Sequence, residues 1–170
     1  MSDESAIQDS AVAISVEIGL DLTYFSEAGE KNLIHIPVLL GYVLLHWFLE
    51  GVVTGVGEGV GEGIDRGAAR ATRSLGERVK RLFGRHDRSS EADAKLQAEL
   101  AAQASVAVSN ARAAVVSGAA DEIARVAEAY EIALVGYLTD EGMPGRDALR
   151  IAQRVRAEAG VQLRAVAPSR

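Results

Sequence analysis

The sequence predicts a mainly α-helical chain that opens with a short β-strand or β-hairpin. Three observations carry that prediction. Apolar residues alternate without a slip from Val12 to Tyr24, glycine recurs at every fourth position from Gly51 to Gly67 directly after the most apolar stretch, and an alanine-rich pattern fills the second half. The first has the two-residue period of a strand, and the other two have helical spacing.

The N-terminal segment is read as follows. Val12, Ile14, Val16, Ile18, Leu20, Leu22 and Tyr24 would share one face of a strand, with Ala13, Ser15, Glu17, Gly19, Asp21 and Thr23 on the other. On a helix the same positions step by about 200° and leave no stripe. A polar turn at 26–32 follows, and 33–36 returns as a shorter strand that Pro37 confines to an edge. A lone hairpin is marginal in water, so this unit, 1–36, is expected to rest on the helices, another subunit or a membrane. Asp3, Glu4 and Asp9 make the N-terminus acidic, unlike the basic start of a secretory signal, so the first residues read as mature protein.

From Pro37 the pattern becomes helical, because proline suits a first helical turn and 38–49 is too uniformly apolar for alternation. Twelve aliphatic or phenylalanine side chains lie between Ile34 and Val53. At about -0.3 to -0.6 kcal/mol each they favour bilayer insertion by about -4 to -7 kcal/mol, of which Glu50 returns about 3. Insertion by this segment is near break-even, so two readings stand together: a membrane-spanning helix, or a central helix buried in a soluble bundle.

The glycines at 51, 55, 59, 63 and 67 form a groove, and Phe48, Val52, Val56, Val60 and Ile64 form an apolar ridge beside it. On one long helix this is a glycine zipper, in which small residues let helix backbones approach closely and self-assemble. A glycine-rich strand and a flexible linker are the other readings of Gly55 to Gly63, and the continuing ridge favours the helix. The alternation at Gly55, Gly57, Gly59, Gly61 and Gly63 resembles the glycine run on the inner helix of ATP-synthase rotor-ring c subunits. That resemblance covers nine residues and implies a ring of glycine-lined helices, and nothing about ATP. Glu58 and Glu62, one turn apart, would line a pore if the helix lay in lipid, and otherwise stand in water beyond it.

Residues 68–83 read as a basic amphipathic helix, with Leu75, Val79, Leu82 and Phe83 on one face. Arg66, Arg70, Arg73, Arg78, Lys80, Arg81 and Arg85 give this region a basic character suited to an anionic membrane surface, and the equal alternative is a solvated helix that packs its four apolar residues on the chain's own core. Residues 1–32 hold seven acidic residues against Lys31, whereas 64–88 hold eight basic residues against three acidic ones. This asymmetry places the basic end on the cytoplasmic side of a spanning helix. No nucleic-acid partner is expected, since the arginines lack interleaved aromatics and the chain carries a net charge of -6.

Residues 85–90 are a polar linker, and Ser90 with Asp93 marks the start of an alanine-rich module over 91–160. Its pattern breaks at Ser117-Gly118 and stops again at Gly142 to Gly145 before a last helix from Arg146 to Ala159. Ile132, Leu134, Val135 and Leu138 are expected to pack on Leu149, Ile151, Ala152 and Val155 as a helical hairpin, with a loose tail over 161–170.

No catalytic constellation is legible. The glycines never lead into Gly-Lys-Ser/Thr, there is no nucleophile elbow, and the chain has no cysteine. His46 and Glu50 have ligand-compatible spacing, but two residues make no zinc site, so neither metal nor cofactor is expected. The function predicted is a membrane-associated, self-assembling helical protein, a pore-forming or membrane-disrupting effector with a cytoplasmic module at 91–160 that binds a protein partner. Its rival is a soluble, cytoplasmic oligomeric adaptor or scaffold that buries the apolar helix in a bundle or subunit interface.

Overall fold

The computed structural model of the chain describes residues 3–19, 36–58, 61–84, 89–118 and 120–164. Six helices form an all-α bundle in this part: α1 (Asp3–Gly19), α2 (Ile36–Glu58), α3 (Gly61–Phe83), α4 (Ser90–Ser117), α5 (Ala120–Asp140) and α6 (Gly145–Arg164). No strand occurs among the described residues.

The strand expected over 12–24 is therefore corrected: residues 12–19 are helical, and 20–24 lie outside the described residues, as do the expected turn at 26–32 and residues 33–35 of the second strand. The reason is a second pattern superposed on the alternation. Ile7, Ala11, Ile14 and Ile18 recur at steps of four, three and four, and all are fully buried, whereas Val12 and Val16 are 41% and 64% exposed. Two serines share the buried face of α1 without leaving a hydroxyl stranded. Ser15 Oγ donates to the Val12 carbonyl at 2.6 Å, and Ser10 Oγ accepts from Gln162 Nε2 of α6 at 2.7 Å.

Helix α2 is apolar on all sides because it is the central post: it packs against each of the five other helices. Leu39, Leu40, Leu44, Leu45 and Leu49 are fully buried, and each contributes about 1.5–3 kcal/mol on leaving water. Close approach to α1 is set at Gly41, where a Cβ would collide with the Ala11 carbonyl oxygen.

The glycine run is divided between two helices rather than carried on one long helix, which corrects the expected zipper helix through Gly67. Thr54 and Gly67 line one cleft and Trp47 bonds to Ala71, so α3, which begins at Gly61, runs antiparallel to α2, which ends at Glu58. Glycine costs about 1 kcal/mol per residue in a helix interior, so a glycine-dense segment is where a helix most readily ends. On α3, Ile64, Ala68, Leu75, Val79 and Leu82 are buried against the bundle at helical spacing.

The later punctuation follows local chemistry. Ser89 caps α4, its side chain accepting from the Ala92 amide at 3.0 Å, one residue before the Ser90 expected from sequence. Helix α4 ends at Ser117, where the Gly118 amide donates to the Ala114 carbonyl at 2.8 Å. After α5, Gly142 takes φ 101°, a left-handed conformation open to glycine. Its amide donates to Thr139 at 3.0 Å while the Met143 amide donates to Leu138 at 3.1 Å, the paired bonds of a Schellman stop. In the resulting α5–α6 hairpin Leu134, Leu138, Ile151, Ala152 and Val155 are buried, but Ile132 and Leu149 point outward, 63% and 43% exposed.

Candidate functional site

Where α2, α3 and α5 meet, the central post is locked in place. Trp47 of α2 donates its Nε1–H to the Ala71 carbonyl of α3 at 2.8 Å, which satisfies the one polar atom of a side chain only 3% exposed. Its ring lies 5.2 Å from that of Tyr130 on α5, tilted by 56°, and Phe48 meets the same tyrosine edge-on at 6.4 Å. Tyr130 reaches this position because Gly51 has no side chain: a Cβ there would collide with the edge of the tyrosine ring. One turn on, a Cβ at Gly55 would lie 2.5 Å from a Val126 methyl. Of the residues expected to mediate helix packing, Gly51 and Gly55 thus meet α5 of the same chain. Val52 is fully buried, and Val56 lies against Gly118, whose added Cβ would be 3.3 Å from a Val56 methyl.

The other expected positions are dispersed. Gly63 and Gly67 are half-buried on α3, and Gly67 lines a cleft of about 440 Å³ with Trp47, Glu50, Thr54, Arg70 and Ser74. Gly59, Val60 and Arg85 lie outside the described residues. Glu58 is the last residue of α2 and Glu62 the second of α3, so the reversal separates two acids expected to share one helix face.

Above this junction sits a charged cluster. His46 Nδ1 lies 3.7 Å from Glu50 Oε1, and Arg78 Nη1 of α3 lies 3.9 Å from the same oxygen. The histidine side chain is 14% exposed and its Nδ1 has no hydrogen-bond partner. Burial, reinforced by the Arg78 charge, lowers the His46 pKa, and Glu50 opposes that shift only in part. The imidazole lies between a cation and an anion, and burial tips it toward its neutral form. No group of three His, Asp or Glu residues comes together among the described residues in a way that suits a metal ion.

Most basic residues singled out from the sequence lie outward on α3. Arg66, Arg70, Arg73, Lys80 and Arg81 are exposed, whereas Arg78 turns in toward Glu50. The apolar face of the same helix packs into the bundle, where Leu75, Val79 and Leu82 are buried.

Two contacts between α1 and α6 had no signal in the sequence. Gln162, 1% exposed, donates from Nε2 to the Ala6 carbonyl at 2.9 Å as well as to Ser10, and its backbone carbonyl accepts from Arg112 Nε of α4 at 3.1 Å. At the other end Arg150 Nε lies 2.8 Å from Glu17 Oε2 and Arg154 Nη2 lies 3.4 Å from Glu17 Oε1. A glutamine in the last turn of a helix reads as surface until its neighbours are known. Between α5 and α6 a groove of about 700 Å³ has Phe48 and Val52 at its floor and Arg156 paired to Glu131 at 2.8 Å on its wall.

No protein-family model, curated protein or solved structure matches this chain.

Proposed function

We propose that the chain is a soluble, non-enzymatic helical bundle that acts by binding, an adaptor or scaffold whose bilayer-length apolar helix serves as its internal post. The observation that carries this reading is the enclosure of α2. The segment Pro37–Val56 has a mean hydropathy of 1.5, yet 72% of its most apolar window is buried by the protein itself. Moving α2 into lipid would gain little, as the near-balance of its insertion energies shows, and would strip the inward faces of five helices. Ile7, Ile14, Ile18, Leu75, Leu134, Ile151 and Val155 are all fully buried. Exposing those seven costs roughly 10–20 kcal/mol, more than insertion returns.

The competing reading, a membrane-inserted and self-assembling effector, rests on the Pro37–Val56 stretch of α2, whose 20 residues span about 30 Å. It requires the bundle to open and Gly51 and Gly55 to exchange α5 for a second copy.

Fractionation separates the two. The adaptor reading expects the expressed chain in the soluble fraction without detergent, as one sedimenting species. Retention in membranes washed at alkaline pH would overturn it in favour of insertion.

A further inference from the structure

Three arginines of α6 are paired with acids, whereas most basic residues of α3 stand outward. On α6, Arg150 and Arg154 meet Glu17, and Arg156 meets Glu131 at 2.8 Å. On α3, Arg70, Arg73, Lys80 and Arg81 are exposed and make no ion pair among the described residues. With Arg66 they follow helical spacing along one face, opposite the buried Ile64, Ala68, Leu75, Val79 and Leu82, and Glu77 is the one acid among them. From Arg66 to Arg81 the stripe runs about 22 Å.

A protein of net charge -6 that gathers Arg70, Arg73, Lys80 and Arg81, none in an ion pair among the described residues, on one ridge has a face built for an anionic surface. We infer that the outward stripe of α3 docks the closed bundle on the headgroups of an anionic bilayer. The contact is peripheral and electrostatic, because the apolar side of α3 is committed to the core and cannot wedge into the acyl region. Each basic residue near an anionic leaflet raises partitioning about fivefold, so the stripe suffices for measurable binding at low salt. Within a Debye length of about 8 Å, charge on the other faces contributes little to the contact. A duplex nucleic acid shares the phosphate chemistry, but the stripe has no aromatic or amide side chain for stacking or base reading.

The test uses the full chain and flotation with vesicles of phosphatidylcholine alone, or with about a third phosphatidylglycerol. Binding is expected on the anionic vesicles only, and is expected to be lost at about 0.5 M salt. Arg70→Glu with Arg73→Glu should weaken it by at least about tenfold. Arg125→Glu with Arg146→Glu makes the same change in net charge at exposed sites on α5 and α6, and should alter binding by less than about threefold. Circular dichroism confirms that each variant is folded. The inference is overturned if the folded wild type ignores anionic vesicles, if both pairs weaken binding alike, or if the protein stays bound at high salt. Preference for a duplex DNA oligonucleotide over the vesicles would overturn it as well. None of these outcomes bears on whether α2 forms the core in solution, which fractionation alone decides.

Discussion

The ring of Tyr130 on α5 fills the space that a side chain at Gly51 of α2 would occupy. This contact, with Trp47 closing on the same ring from one turn below, joins the central post to the α5–α6 hairpin. It also gives the glycine repeat a physical meaning, since its first two members create room for a neighbouring helix.

Substituting Gly51 by alanine should destabilise the protein by about 2 kcal/mol, because displacing a packed aromatic outweighs the gain of about 1 kcal/mol in helix propensity. Gly136→Ala supplies the contrast. It lies inside α5 with nothing within 4 Å of an added Cβ, so the propensity gain should appear undiminished as higher stability. Urea unfolding of both variants checks the pair, and equal effects in one direction would contradict the packing account.

Gln162→Leu should cost about 2 kcal/mol, because it leaves the buried Ser10 hydroxyl without the amide that donates to it. Losses in hydrogen-exchange protection should concentrate in α1, which Gln162 holds at Ala6 and Ser10. Protection that falls uniformly over all helices would argue against a local tether.

Glu17→Gln should weaken the opposite end of the same helix pair. Glu17 is the shared partner of Arg150 and Arg154, and its side chain is 18% exposed. A partly buried pair of this kind contributes about 1 kcal/mol, and double-mutant cycles with Arg150→Gln should recover that coupling.

The pH dependence of stability should carry the signature of His46. Its pKa is lowered in the fold, first by burial and then by Arg78, relative to the ordinary 6.5. The unfolded chain therefore takes up the proton first, so the histidine's contribution to stability is intact above 6.5 and is lost as pH falls through and below that value. His46→Gln should flatten the stability curve in this window. A wild-type protein that becomes more stable on mild acidification would contradict the assignment.

The body of α2, the 68–83 part of α3 and helices α4 to α6 were legible from a uniformly apolar run after Pro37, one apolar face on α3, and stops at Ser117-Gly118 and Gly142, whereas the division of the glycine run between α2 and α3 was not, because its spacing also continues a single helix. The N-terminal helix was not, because Val12 and Val16 complete an alternation that Ile14 and Ile18 share with a helical stripe. Choosing between the two periods needs Ile7 and the buried Ser10, whose partner Gln162 lies 152 residues away. The glycine spacing announced close packing but not its partner, because nothing local to Gly51 names Tyr130. The basic stripe was visible as composition, and only the fold distinguishes Arg78, turned in toward Glu50, from its outward neighbours.

Hydrogen exchange across α2 in detergent-free solution tests the central claim most directly. An enclosed post requires residues 41–56 to be among the slowest in the protein, opening only with global unfolding. Rapid exchange through that segment in an otherwise folded chain would show that the apolar helix is not held inside the bundle.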